Sequence, residues 1–150
     1  MLKNTLNIYD YARDLENVDK EKIVVVGYSI GTGFATYLAS QREVNGLILI
    51  SPYDNALNLY NDNLNIFYGL LEKCRRYKLT SDIYAQNVET DPLIIASKMD
   101  EIIKYEHSVR LSEKFSKINK MVTLEDVGHQ YFFEIPLVLE EMKEYLKERL

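Results

Sequence analysis

A chain of 150 residues, 47% hydrophobic and 27% charged, carries enough apolar material for one domain with a sizeable core, and no Pro/Gly/Ser-rich linker divides it. Its net charge of -5, with the two signs interspersed, leaves no electrostatic footprint for nucleic acid or an anionic membrane surface. The single cysteine, Cys74, excludes an internal disulfide and a cysteine metal cluster; with no apolar run after Met1 to act as a secretory signal, a reducing cytoplasm is the expected compartment.

The first periodic segment covers residues 4–17, where Leu6, Tyr9, Ala12 and Leu15 recur at helical offsets behind Asn4 or Thr5 as a cap. A short polar connection leads into Ile23-Val24-Val25-Val26, a β-branched run of the kind expected of a strand buried on both faces of a parallel sheet. The run ends at Gly27-Tyr28-Ser29-Ile30-Gly31, which fits G-x-S-x-G. In that elbow a tight strand-to-helix turn holds a serine in a strained backbone conformation above the sheet. The missing Cβ atoms of Gly27 and Gly31 are expected to let backbone close in around Ser29, beside the N-terminus of the next helix. Phe34, Ala35, Leu38 and Ala39 give that helix an apolar face for the sheet.

No charged residue separates Lys22 from Arg42, but three glycines, two serines, two threonines and a glutamine lie between them, which argues against a membrane span. The glycine order G-x-x-x-G-x-G is also the reverse of the dinucleotide-binding fingerprint, and no lysine follows as a phosphate loop requires.

Gly46-Leu47-Ile48-Leu49-Ile50 reads as a second buried strand, ending at Ser51-Pro52. Helix, strand, helix, strand in succession implies a parallel sheet with right-handed crossovers and helices on its faces. Residues 52–91 then form a long excursion rich in Asn and Tyr, with a helical run over 64–77, expected to be a lid-like insertion above the strand ends. Its basic cluster Lys73-Cys74-Arg75-Arg76-Tyr77-Lys78 is either a solvated helix face or a docking patch for an acidic group. Leu93-Ile94-Ile95-Ala96 is the third strand and runs into Ser97-Lys98-Met99-Asp100. A helix striped with Val109, Leu111, Phe115 and Ile118 follows, then Met121-Val122-Thr123-Leu124 as the fourth strand, leading to Gly128-His129. The last helix starts at Pro136, a favoured first-turn residue, and turns Val138, Met142, Tyr145 and Leu146 inward.

In an open parallel sheet, functional groups gather in the loops after the carboxyl ends of the strands. Three such loops carry Ser29, Asp100 and His129, in the chain order Ser, Asp, His. The types are complementary: a serine hydroxyl is a poor nucleophile until an imidazole accepts its proton, and a carboxylate on the far ring nitrogen fixes the tautomer. Glu101 is the nearest rival for the acid role, with Glu125 and Asp126 further off. His107, beside Glu106 on a helix, is expected to be solvated, and Ser51 to be a turn former before Pro52.

The stretches GYSIGTGFATYLAS, LILISPYDNAL, DPLIIASKMDEII with YEHSVRLSEKF, and VTLEDVGHQYFF together resemble the carboxyl-terminal half of an α/β-hydrolase. The branch it is similar to includes dienelactone hydrolases, prolyl-oligopeptidase catalytic domains and the abhydrolase depalmitoylases. The resemblance implies an α/β fold of three layers, α-β-α, with a parallel sheet of about four strands from the elbow strand onward. It also implies hydrolysis of an ester, thioester or amide, with Ser29 as nucleophile, His129 as general base, Asp100 as its orienter and the Ile30 backbone N–H as one oxyanion donor. No metal and no cofactor is implied. Complete members have strands before the elbow, and one of the loops there supplies a second oxyanion donor. The strand from Ile23 to Val26 is therefore expected at a sheet edge, as in a shortened gene product, in a homodimer paired through that edge, or beside a complementing chain. Tyr53, Tyr60, Phe67, Tyr68 and Leu70 in the excursion suit an apolar acyl group. The competing expectation is a non-catalytic fragment that works through protein association at the exposed edge.

Overall fold

The structure, a computed structural model, describes residues 2–64 and 79–150. All but the first residue of the helical run expected over 64–77 lies outside the described residues, as do the basic cluster with Cys74 and the side chains of Phe67, Tyr68 and Leu70.

The chain alternates helix and strand: α1 (Leu2–Arg13), β1 (Val24–Tyr28), α2 (Gly31–Gln41), β2 (Gly46–Ile50), α3 (Ala56–Leu64), α4 (Ser81–Tyr84), β3 (Leu93–Ser97), α5 (Tyr105–Ser112), β4 (Lys120–Leu124) and α6 (Pro136–Arg149). The four strands form one parallel sheet in the order β1-β2-β3-β4, with Tyr28 opposite Ile50, Ile50 opposite Ile95 and Ile95 opposite Val122. Because side chains alternate across a strand, the sheet feeds two cores. On one face Leu47, Leu49 and Ile94 meet Leu38 of α2, Tyr9 of α1 and Leu111 of α5. On the other, Ile48, Ile50, Ile95 and Val122 meet Val138 and Tyr145 of α6. The result is the expected three-layer α-β-α arrangement. Every residue of β2 and β3 is buried, which is why β2 and residues Leu93 to Ala96 of β3 read as apolar runs. Each isoleucine or leucine so buried contributes about 1.5–3 kcal/mol.

The edges depart from the pattern. β1 is not buried on both faces: Val24 and Val25 are half-buried and Val26 is 49% exposed, since no strand lies outside β1 among the described residues. Leu15 and Ile118, expected on apolar helix faces, are exposed, because α1 ends at Arg13 and α5 at Ser112, before helical spacing can turn either side chain inward.

His107 is the clearest correction. It is not solvated but fully buried, with Nδ1–H donating to Asp54 Oδ1 at 2.5 Å and Nε2 3.1 Å from Asp62 Oδ2 of α3. Arg110 Nε, one turn further along α5, donates to Asp54 Oδ2 at 2.7 Å, and Asn58 of α3 adds a bond at 3.1 Å. Burial alone would push the Asp54 carboxyl up, but the hydrogen bonds from His107, Arg110 and Asn58 outweigh it and hold it well below the usual carboxylate range. A carboxyl whose folded pKa is depressed stabilises the fold above its unfolded pKa, and that contribution disappears as pH falls toward the folded value. Asp54→Asn is therefore expected to cost about 1–3 kcal/mol at neutral pH. The gap between the two proteins in urea unfolding should begin to narrow only below about pH 4, the unfolded carboxyl value, and go on narrowing toward the far lower folded value; a gap unchanged from pH 7 to pH 3 would contradict this account.

Candidate active site

Ser29 lies one residue past β1, at φ 53, and Ser51 lies one residue past β2, at φ 50; they are the positive-φ residues other than glycine among the described ones. The two are structural counterparts. The Ser29 N–H donates to Ile50 O at 3.0 Å, and the Ser51 N–H donates to Ile95 O at 2.8 Å, so each extends its ladder by one bond before turning away. The Thr32 N–H and hydroxyl both donate to the Ser29 carbonyl, at 3.0 and 2.7 Å, and close the elbow.

Glycine is needed at Gly27, where a Cβ would come within 2.8 Å of Ala35 Cβ and of the Thr32 backbone. Gly31 does not have the expected steric role, since a Cβ there meets nothing within 4 Å. A second close approach is at Gly33, where a Cβ would collide with the Tyr53 hydroxyl. Tyr53 is consequently a fully buried brace under α2, not part of an acyl-facing surface, while Tyr60 packs half-buried against the same cluster.

His129 opens a 3-10 turn (His129–Glu134) after β4. Its Nε2 is 2.9 Å from Ser29 Oγ, and its Nδ1 is 2.9 Å from both carboxyl oxygens of Asp100. The three side chains expected to work together are thus in one hydrogen-bonded line, although Ser29 and His129 are 100 positions apart in the chain. Asp100 is buried and well held: Oδ1 accepts from the N–H groups of Ile102 and Ile103 at 2.9 and 2.8 Å, and Oδ2 accepts from the Ser51 hydroxyl at 2.5 Å.

Glu101, the rival acid, faces the backbone instead: its Oε2 accepts from the His129 N–H at 3.0 Å, and this bond, with one from its own N–H, holds the carboxyl below its ordinary range. Glu125 pairs with Lys98 at 2.8 Å, and Asp126 is exposed. Tyr28, the variable residue ahead of the serine, stacks on the His129 ring at 5.4 Å and 25° and donates its hydroxyl to the His129 carbonyl. Burial, with the charges of Asp100 and Glu101 adding to it, raises the Tyr28 phenol, which keeps it a donor. Sequence reasoning missed Tyr28, Ser51 and the backbone role of Glu101. For Ser51 a signal existed: it follows a five-residue apolar strand as directly as Ser29 follows its own.

Among the described residues no group of three or more His, Cys, Asp or Glu side chains is placed to hold a metal ion, and no helix is long and apolar enough to cross a membrane.

A strained serine on a strand-to-helix elbow, at the carboxyl edge of a parallel sheet and beside a histidine from a later loop, is the arrangement of one fold family. Residues 3–83, just over half of the chain, match the family model of the alpha/beta hydrolase fold, and the chain belongs to that family. It is similar to alpha/beta hydrolase domain-containing protein 17C of Xenopus tropicalis, at 27% identity over 138 residues, which cover 89% of this chain and 41% of that protein. The chain thus spans about two fifths of the length of the curated relatives it matches. Among solved structures, Est1E from Butyrivibrio proteoclasticus superposes with a TM-score of 0.80 at 24% identity, covering 99% of this chain and 68% of that one. Acetyl xylan esterase from Paenibacillus sp. R4 also reaches 0.80, at 17% identity, covering 99% of this chain and 52% of that one. At such identities the likeness is one of fold.

Proposed function

We propose that this chain carries the reacting groups of a serine hydrolase that cleaves carboxylic esters, thioesters or amides. The observation that carries the reading is the 2.9 Å approach of Ser29 Oγ to His129 Nε2, with Nδ1 of the same ring at 2.9 Å from Asp100. Ser29 Oγ attacks the carbonyl carbon as its proton passes to His129 Nε2, and Asp100 holds the Nδ1–H and stabilises the imidazolium. The oxyanion accepts from the Ile30 N–H, which stands at the start of α2 where the helix dipole favours negative charge. Collapse expels the alcohol, thiol or amine with the proton held by His129, and water, activated by the same imidazole, then releases the acid and restores Ser29.

The substrate class this reading favours has an apolar acyl group. Ile30, Met99, Ile102 and Tyr131 are large exposed apolar side chains on the loops that bear Ser29, Asp100 and His129. Hydrolysis of p-nitrophenyl esters that rises with acyl length supports this class, and equal hydrolysis of short and long esters argues against it.

A second reading is favoured by the open outer side of β1, where Val26 is 49% exposed. In it the chain acts by association, pairing β1 with a second copy or a separate polypeptide. One experiment separates the two: reaction with a fluorophosphonate probe, read by intact mass, with the oligomeric state measured on the same sample. Labelling that disappears in Ser29→Ala is the expected result for the hydrolase. A folded sample that takes up no probe would overturn it and turn attention to the edge.

A further inference from the structure

Resting on the hydrolase reading, we infer that Ser51 is a positioning residue that fixes the Asp100 carboxylate and, through it, the tautomer of His129. Three independent features of the residue point the same way. It is 2% exposed; its Oγ is 2.5 Å from Asp100 Oδ2 and 3.4 Å from His129 Nδ1; and its backbone sits at φ 50, where side chains other than glycine are disfavoured. A turn ahead of Pro52 has glycine open to it at no strain. Serine keeps the strain and adds a hydroxyl.

The bonding around that hydroxyl has one consistent solution. Asp100 Oδ1 already accepts two backbone N–H groups, so the carboxylate is anchored on that side, and rotation about its Cβ–Cγ bond is what the Ser51 hydroxyl stops at Oδ2. With its proton committed to Asp100, Ser51 Oγ turns only lone pairs toward His129 Nδ1. That favours a proton on Nδ1, which leaves the Nε2 lone pair free for Ser29. The counterpart positions Ser29 and Ser51 thus use the same unfavourable backbone conformation, one to present the nucleophile and the other to hold the acid.

The test compares Ser51→Ala, which keeps the strain and removes the hydroxyl, with Ser51→Gly, which removes both. The rate constant for fluorophosphonate labelling of Ser29, the thermal midpoint, and the 15N and downfield 1H resonances of His129 are measured on each full chain. The expected result is a loss of labelling rate on the order of 10- to 100-fold in both variants, as for a small misplacement of reacting groups. Ser51→Gly should lose rate without losing thermal stability, and the His129 resonances should shift and broaden as the Asp100 carboxylate is freed to rotate. A Ser51→Gly protein that labels like the wild type, a loss that only tracks the unfolded fraction, or unmoved His129 resonances would each overturn the assignment. If the wild type itself takes up no probe, the hydrolase reading fails separately, and the His129 resonances alone decide whether Ser51 positions the pair.

Discussion

If Asp100 orients His129 as proposed, Asp100→Asn is expected to slow acylation of Ser29 by about 10,000-fold while leaving the fold intact. The size follows from proton placement. An amide at this position still has an oxygen to accept from the Ile102 and Ile103 N–H groups, at 2.9 and 2.8 Å in the parent, so the loop keeps its shape. Its NH2 group then faces His129 Nδ1 as a donor. The imidazole must answer as an acceptor there, which moves its own proton to Nε2 and points it at Ser29 Oγ, 2.9 Å away. Ser29 loses its base without losing its neighbours. The control is Glu101→Gln: Glu101 accepts from the His129 backbone N–H, not the ring, so its amide should label within a few-fold of the parent. Labelling rates measured at one pH on both variants check the pair. A tenfold or smaller loss in Asp100→Asn, or an equal loss in Glu101→Gln, would remove Asp100 from the role proposed for it.

Phe132→Ala is the substitution with the largest expected cost in stability, about 3–5 kcal/mol against a total of about 5–15 kcal/mol for a typical fold. Phe132 is fully buried with Ile50, Ile95, Val127 and Val138, and its ring meets Tyr28 edge-on at 6.3 Å. Truncation leaves a cavity between the sheet and α6 that the five-residue strands cannot close without breaking their ladders. Because His129 begins the same 3-10 turn, the loss also loosens the imidazole, so labelling should fall even where the variant remains folded. The neighbouring Phe133 is exposed and touches Tyr28 only edge-on at 5.4 Å; its alanine variant should cost no more than about 0.5–1.5 kcal/mol. Urea unfolding of the two variants gives the comparison, and a cost below about 1 kcal/mol for Phe132→Ala would show that the site collapses to fill the gap.

The sequence by itself determined whatever depends on neighbours along the chain. Apolar runs located β2 and β3, because strands buried on both faces are filled mainly by apolar side chains; Gly27 before Ser29 marked the elbow, because only a residue without a Cβ passes Ala35 and the Thr32 backbone there. The order Ser29, Asp100, His129 could be read from loops that follow strands. Tertiary structure decided the fate of polar groups whose partners are remote. His107 resembles a surface residue until Asp54, 53 positions away, is brought to its Nδ1. Ser51 resembles a turn former until Asp100, 49 positions away, accepts its hydroxyl. Likewise, which glycine is crowded was settled by where the Tyr53 hydroxyl lies, against Gly33 and not Gly31. For the two polar residues the physical reason is the same. Burying a polar or charged group is favourable only when a partner meets it, and that partner is set by how layers stack, which local periodicity and composition do not encode.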